Sequence, residues 1–165
     1  MNSVPVDERV NSPEKIEAPF PLPHISRRAL RRVSHPLPVP TECPYCSSSI
    51  ELISNSVIYG REFGEWPYAY SCQVCDAYVG LHPHTDLPLG SLADSALREA
   101  RKEGKAIFYR MVDEMCNGRS EGYEWLAGQM KLDPSDCHWG MFTEEQCDNA
   151  AEICQRALNV GDFHE

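Results

Sequence analysis

Two cysteine pairs carry the clearest chemistry in this chain. Cys43-Pro44-Tyr45-Cys46 and Cys72-Gln73-Val74-Cys75 are both CxxC motifs, separated by 25 residues. Two residues between cysteines let one tight turn present both sulfurs to a single ion, and zinc takes four such soft ligands in a tetrahedron. Four cysteines leave no coordination position open, so the expected cofactor is one structural zinc (iron in a recombinant sample), without which the surrounding segment should unfold. The competing reading is a pair of redox CxxC motifs or disulfides. It fits poorly with eight cysteines in a chain that shows no apolar secretory core after Met1.

Three further groups of residues have types and spacings that suit chemistry or binding. His82, His84 and Asp86 lie in a stiff loop, residues 80–90, with prolines at 83 and 88. Their spacing resembles the HxHxD portion of metallo-β-lactamase-type hydrolases, although Leu87 stands where that motif has another histidine. With His138 they define the alternative function, a small metal-assisted hydrolase or nuclease. Arg27, Arg28, Arg31 and Arg32 form the one concentrated basic run. It suits a short linear element for a nucleic acid or an acidic protein, or an ordinary solvated tail. Arg98, Arg101, Lys102 and Lys105, at offsets 0, 3, 4 and 7, share one face of an expected helix, where they can meet phosphates or simply face solvent.

The elements that must position these groups follow from pattern. Residues 1–40 hold eight of the thirteen prolines and are expected to be a disordered, Pro- and Arg-rich arm. Ile50–Ile53, Val57–Tyr59 and 66–70 have strand composition, with Gly60 and Gly64 punctuating the return, and Ala77-Tyr78-Val79 reads as a short third strand. Period two puts Trp66, Tyr68 and Tyr70 on one face, suited to stacking bases or to burial under a helix. Ser91 begins the helical pattern with Asp94 in capping-box spacing, and Gly104 inside it suggests a close approach or a bend. Ser120 can cap a second helix, Asp133-Pro134 starts a short third, and Thr143 with Gln146 caps the last. Cys116, Cys137, Cys147 and Cys154 read as small buried apolar residues, with a second metal site including His138 as the alternative. The expected fold is α+β. A zinc-ribbon-like antiparallel unit with its His-Pro loop covers 41–90. A compact bundle of three to four helices covers 91–160 and packs on it, so that 41–160 is one domain.

Charge separates along the same boundary. Residues 1–40 hold six basic and four acidic side chains, and residues 41–165 hold nine basic and 21 acidic ones. So acidic a region repels phosphate overall, and nucleic-acid binding there requires a local basic patch. No stretch approaches the roughly 18 apolar residues of a membrane span. The expectation is a reducing, cytoplasmic setting, no membrane partner and no small-molecule substrate. The function expected is a non-enzymatic binding or regulatory module for a protein or a nucleic acid.

The pattern Cys72-x-x-Cys75-x-Ala77-Tyr78-Val79-Gly80-x-His82-Pro83-x-Thr85-x-x-Pro88-Leu89-Gly90 resembles an uncharacterised zinc-finger-containing domain family of phages and prophages. So do Trp125-Leu126-Ala127 and Cys137-His138-Trp139-Gly140-Met141-Phe142 with Cys147. The resemblance spans about residues 41–155. It implies zinc on the four knuckle cysteines and a bacterial cytoplasmic setting, and it brings no known reaction; in a phage setting the acidic region at 41–165 would suit a basic groove on a host nucleic-acid enzyme. The sequence departs from the family pattern at Lys105, where histidine is common, and at Trp139, where isoleucine is common.

Overall fold

A computed structural model describes residues 4–161. The chain divides into two compact units, Met1–Asp94 and Ser95–Glu165.

The first unit is built on a three-stranded antiparallel sheet in the order β1 (Ile50–Ser54), β2 (Tyr68–Cys72), β3 (Tyr78–Gly80). The register pairs Ile50 with Cys72 and Ser54 with Tyr68, then Ala69 with Gly80 and Ser71 with Tyr78. A sheet this small cannot bury both of its faces with its own side chains. The N-terminal segment supplies the cover. Leu22 joins Trp66, Tyr70, Val79 and Leu81 in one apolar cluster, and Val10, Leu30 and Val33 form a second with Leu87.

This corrects the expected disordered arm. Residues 4–40 hold a 3-10 turn at Glu8–Asn11 and helix α1 at Arg27–Arg32, capped by Ser26, whose hydroxyl accepts from Ala29 N–H. Leu30 is fully buried. The prolines remove donors and stiffen the backbone, as expected. The apolar residues spaced between them nevertheless find a surface, and burying each contributes roughly 1.5–3 kcal/mol.

The segment Val57–Tyr59 is a second correction. It lies in a short helical turn, α2 (Ser56–Tyr59), ended by Gly60 at φ 79°. The carboxamide of Asn55 accepts from Phe63 N–H at 3.0 Å and donates to Phe63 O at 3.0 Å, closing the loop. Val57 is 74% exposed, so its β-branched side chain has no sheet to pack against.

The second unit contains α3 (Ser95–Met115), α4 (Arg119–Met130) and α5 (Glu144–Val160), with 3-10 turns at Pro134–Asp136 and Trp139–Met141. The helix expected from Ser91 begins only at Ser95, because Ala93 still exchanges two backbone hydrogen bonds of 3.1 Å with Tyr78. Ser120, expected as a cap, lies inside the first turn of α4. Phe108, Met111, Leu126, Trp139, Phe142, Cys147, Ala150 and Cys154 are buried. Thr143 and Gln146 form the expected capping box at α5, and Asp133 caps the 3-10 turn before it. Among the described residues no helix is long and apolar enough to cross a membrane.

Candidate metal centre

The strand register carries both cysteine turns to one end of the sheet. Cys43 and Cys46 sit on the turn that feeds β1, closed by Cys43 N–H to Ser48 O at 2.8 Å and Ser47 N–H to Cys43 O at 2.9 Å. Ser47 takes the left-handed conformation at φ 62°, which turns the chain toward β1. Cys72 ends β2, and Cys75 lies on the turn to β3, closed by Cys72 N–H to Ala77 O at 2.9 Å. The Glu42–Ser49 bridge closes the base of the first turn, and Gln73 N–H to Ser49 O ties the two turns together.

The four sulfurs lie within 4.8 Å of one another. Cys43 and Cys75 are 3.5 Å apart, and Cys46 and Cys72 are 3.4 Å apart. A Zn–S bond of about 2.3 Å sets a tetrahedral edge near 3.8 Å, and a disulfide needs about 2.05 Å. The spacing therefore fits four thiolates around one ion, and all eight cysteines are free. Backbone N–H groups of Cys75 and Val74, each 3.4 Å from Cys72 Sγ, pull the Cys72 thiol down to about 6. At Cys75 the Ala77 amide also favours the thiolate. Burial and the adjacent Cys43, Cys72 and Cys46 sulfurs outweigh it and push the thiol up. Four thiolates this close repel one another, and a dication at their centre removes that repulsion. The donor set and spacing fit one structural zinc.

The other candidates go to different places. Asp86 is buried, and both its oxygens accept from Arg9, at 2.7 and 3.0 Å. Its backbone carbonyl accepts from the Tyr70 hydroxyl, and the Thr85 carbonyl accepts from Trp66 Nε1 at 3.0 Å. His82 is half-buried, with its N–H on Leu87 O. His84 is exposed at φ 62° and faces His24 instead, Nδ1 to Nε2 at 3.1 Å, with both rings against Trp66. His24 has no sequence signal, because 60 residues separate it from its partner. His138 belongs to the second unit, where burial, then Arg101, pull its imidazole below the usual value; Asp136 opposes them and Lys105 adds to them.

Among the described residues the four knuckle cysteines are the one metal-competent cluster of three or more ligands. Cys137, Cys147 and Cys154 are buried, with thiols pushed up first of all by burial, and Cys116 is half-buried with Sγ 3.7 Å from Met111 Sδ. Arg27 donates to the carbonyls of Arg9 and Glu14, so part of the basic run ties down its own segment. Trp66 and Tyr70 are buried, by the loop and the N-terminal segment. Arg98, Arg101, Lys102 and Lys105 line one open recess on α3.

Residues 39–157 match the model of the zinc-finger-containing domain family, and the chain belongs to that family. No curated protein and no solved structure matches the chain.

Proposed function

We propose that this protein is a non-catalytic, zinc-stabilised binding module that acts as an adaptor or regulator. A closed four-cysteine centre carries the reading. Four protein sulfurs fill a tetrahedral ion, which leaves no position for a substrate or a metal-bound water. The loop residues required by the hydrolase alternative support it further. The Asp86 carboxylate is engaged by Arg9, and the loop's carbonyls anchor Trp66 and Tyr70. We place the protein in a phage or prophage, the setting implied by the motif between Cys72 and Gly90, acting on a host nucleic-acid enzyme whose basic groove its acidic region would suit.

The test is affinity capture from bacterial lysate, with and without nuclease, beside a phosphodiesterase assay on the same zinc-loaded protein. A stoichiometric, identified partner and no turnover is the expected result. Turnover lost in His82→Ala or His84→Ala would overturn the reading.

A further inference from the structure

The charge order of α3 is inverted. A helix is stabilised by acids in its first turn and cations in its last, because the macrodipole is positive at the N-terminus. Helix α3 has no acid in its first turn and no cation in its last. Arg98, Arg101, Lys102 and Lys105 crowd its N-terminal half, and Asp113 and Glu114 stand at its C-terminal end. From residue 95 to 165 there are eight lysines and arginines against 14 acids, so half of the scarce cations gather on this one stretch of helix.

These four cations and Tyr109 fall on one stripe, while Glu99 and Glu103 lie roughly 100° or more around the helix from its centre. Within the described residues, no carboxylate lies in ion-pair range of Lys102 or Lys105. Arg101 is held in place by two hydrogen bonds to Phe142 O, at 3.3 and 3.1 Å. The stripe lines an open recess of about 470 Å³, floored by Ala106 and ended by Tyr109. The field is felt by a neighbour: Arg101 and Lys105 both oppose protonation of His138. Like charges four residues apart, Arg98 with Lys102 and Arg101 with Lys105, repel on a helix, and a local rule broken at such a cost is expected at a functional surface.

Resting on the binding-module reading, we infer that this face of α3 binds the backbone of a single-stranded nucleic acid, with a base laid against Tyr109. Arg98 to Lys105 spans about 10 Å of helix axis, enough to meet about two or three successive phosphates of one strand. The recess is open along the helix, which suits a polymer passing through. Aromatic stacking at the end of a cationic track is how such strands are held without sequence preference. The acidic surroundings disfavour the broader, more highly charged duplex.

The experiment is fluorescence anisotropy of a labelled single strand, about 12 nucleotides long, with zinc-loaded full-length protein, across a salt series. With about three phosphates engaged, log affinity should fall against log salt with a slope near −2, at about −0.7 per contact. The double variant Lys102→Gln/Lys105→Gln should lose at least about tenfold in affinity and bring the slope below about −1 in magnitude. It should also melt no lower than the parent, because each lysine stands four residues from an arginine and its neutralisation relieves that repulsion. Lys131→Gln, a cation beyond α4, should bind within about twofold of the parent. Equal affinity of parent and double variant, or no binding at low salt, overturns the inference. So does tighter binding to anionic vesicles or a phosphopeptide than to the strand. If the strand does not bind but an identified protein is captured from nuclease-treated lysate, this inference fails while the binding-module reading stands. Cleavage of the strand overturns the binding-module reading instead.

Discussion

Arg9 grips both carboxylate oxygens of Asp86, 77 residues away, at 2.7 and 3.0 Å, and holds Asp7 with the same guanidinium. The Arg9 charge is thereby locked on, first by the hydrogen bond to Asp7 and then by that to Asp86. Asp86 is nearly buried and would be left without its counter-charge if Arg9 were lost. Arg9→Ala is expected to cost about 1–3 kcal/mol, the penalty for stranding a buried acceptor. The first unit should then melt lower, and residues 4–40 should be cut by protease at concentrations that leave the parent intact. The same contact sets an acid limit. The Arg9 hydrogen bond holds the Asp7 carboxyl below its ordinary value of 3.8. Its contribution is therefore complete above that value and is lost as pH falls below it. Thermal midpoints of parent and Asp7→Asn should converge as pH drops below about 4.

Removal of zinc should melt the first unit. Structural zinc contributes on the order of 10–16 kcal/mol to a small domain near neutral pH. The clusters around Trp66 and Tyr70 do not replace that. Elemental analysis should give one zinc per chain. Chelation, or Cys72→Ser, should collapse amide dispersion for residues in β1–β3. Retained dispersion in metal-free protein would contradict this.

How far sequence went depends on how local each cause is. The knuckles were legible because two-residue spacing is itself the ligand geometry. The α5 cap was legible because Thr143 and Gln146 meet within one turn. The fate of the N-terminal segment was hidden. Proline content reports stiffness and lost donors, whereas order came from Leu22, Leu30 and Val33 meeting a sheet that sequence cannot place beside them. Val57–Tyr59 has the composition of a strand, but its backbone closes a helical turn on Asn55 O while the Asn55 side chain pins the loop to Phe63. The His24–His84 pair left no trace in pattern at all.

The pH response of the second unit has a definite sign at His138. Burial first, then Arg101, lower its imidazole below 6.5; Asp136 pulls the other way and Lys105 adds to the lowering. The unfolded chain, with an ordinary value near 6.5, takes up the proton first as pH falls. Stability present above that value is therefore lost as pH falls through the folded value. The His138 titration followed by NMR should have its midpoint below 6.5. Lys105→Gln should move that midpoint upward, and His138→Gln should flatten the pH dependence of melting between about pH 7 and pH 5. A midpoint above 6.5 would show that Asp136 outweighs burial and the cations together.

Gly104 faces the six-membered ring of Trp139, and any Cβ at position 104 would collide with it. Two effects of Gly104→Ala oppose each other. Alanine favours the helix interior by about 1 kcal/mol over glycine. Forcing a methyl group into a packed core costs typically about 1–3 kcal/mol. The ring cannot move aside cheaply, because Trp139 is fully buried and packs on Phe142 at 5.2 Å between centroids and on Phe108 at 6.1 Å. Steric cost therefore wins, and Gly104→Ala should destabilise the second unit by about 1–2 kcal/mol. In the Trp139→Ile background, itself destabilised by the lost indole, Gly104→Ala should cost little or nothing further, since the smaller side chain vacates the space the methyl enters. Urea midpoints of the parent, both single variants and the double variant measure the coupling directly. Additive effects at 104 and 139 would mean that the glycine is not there for the indole.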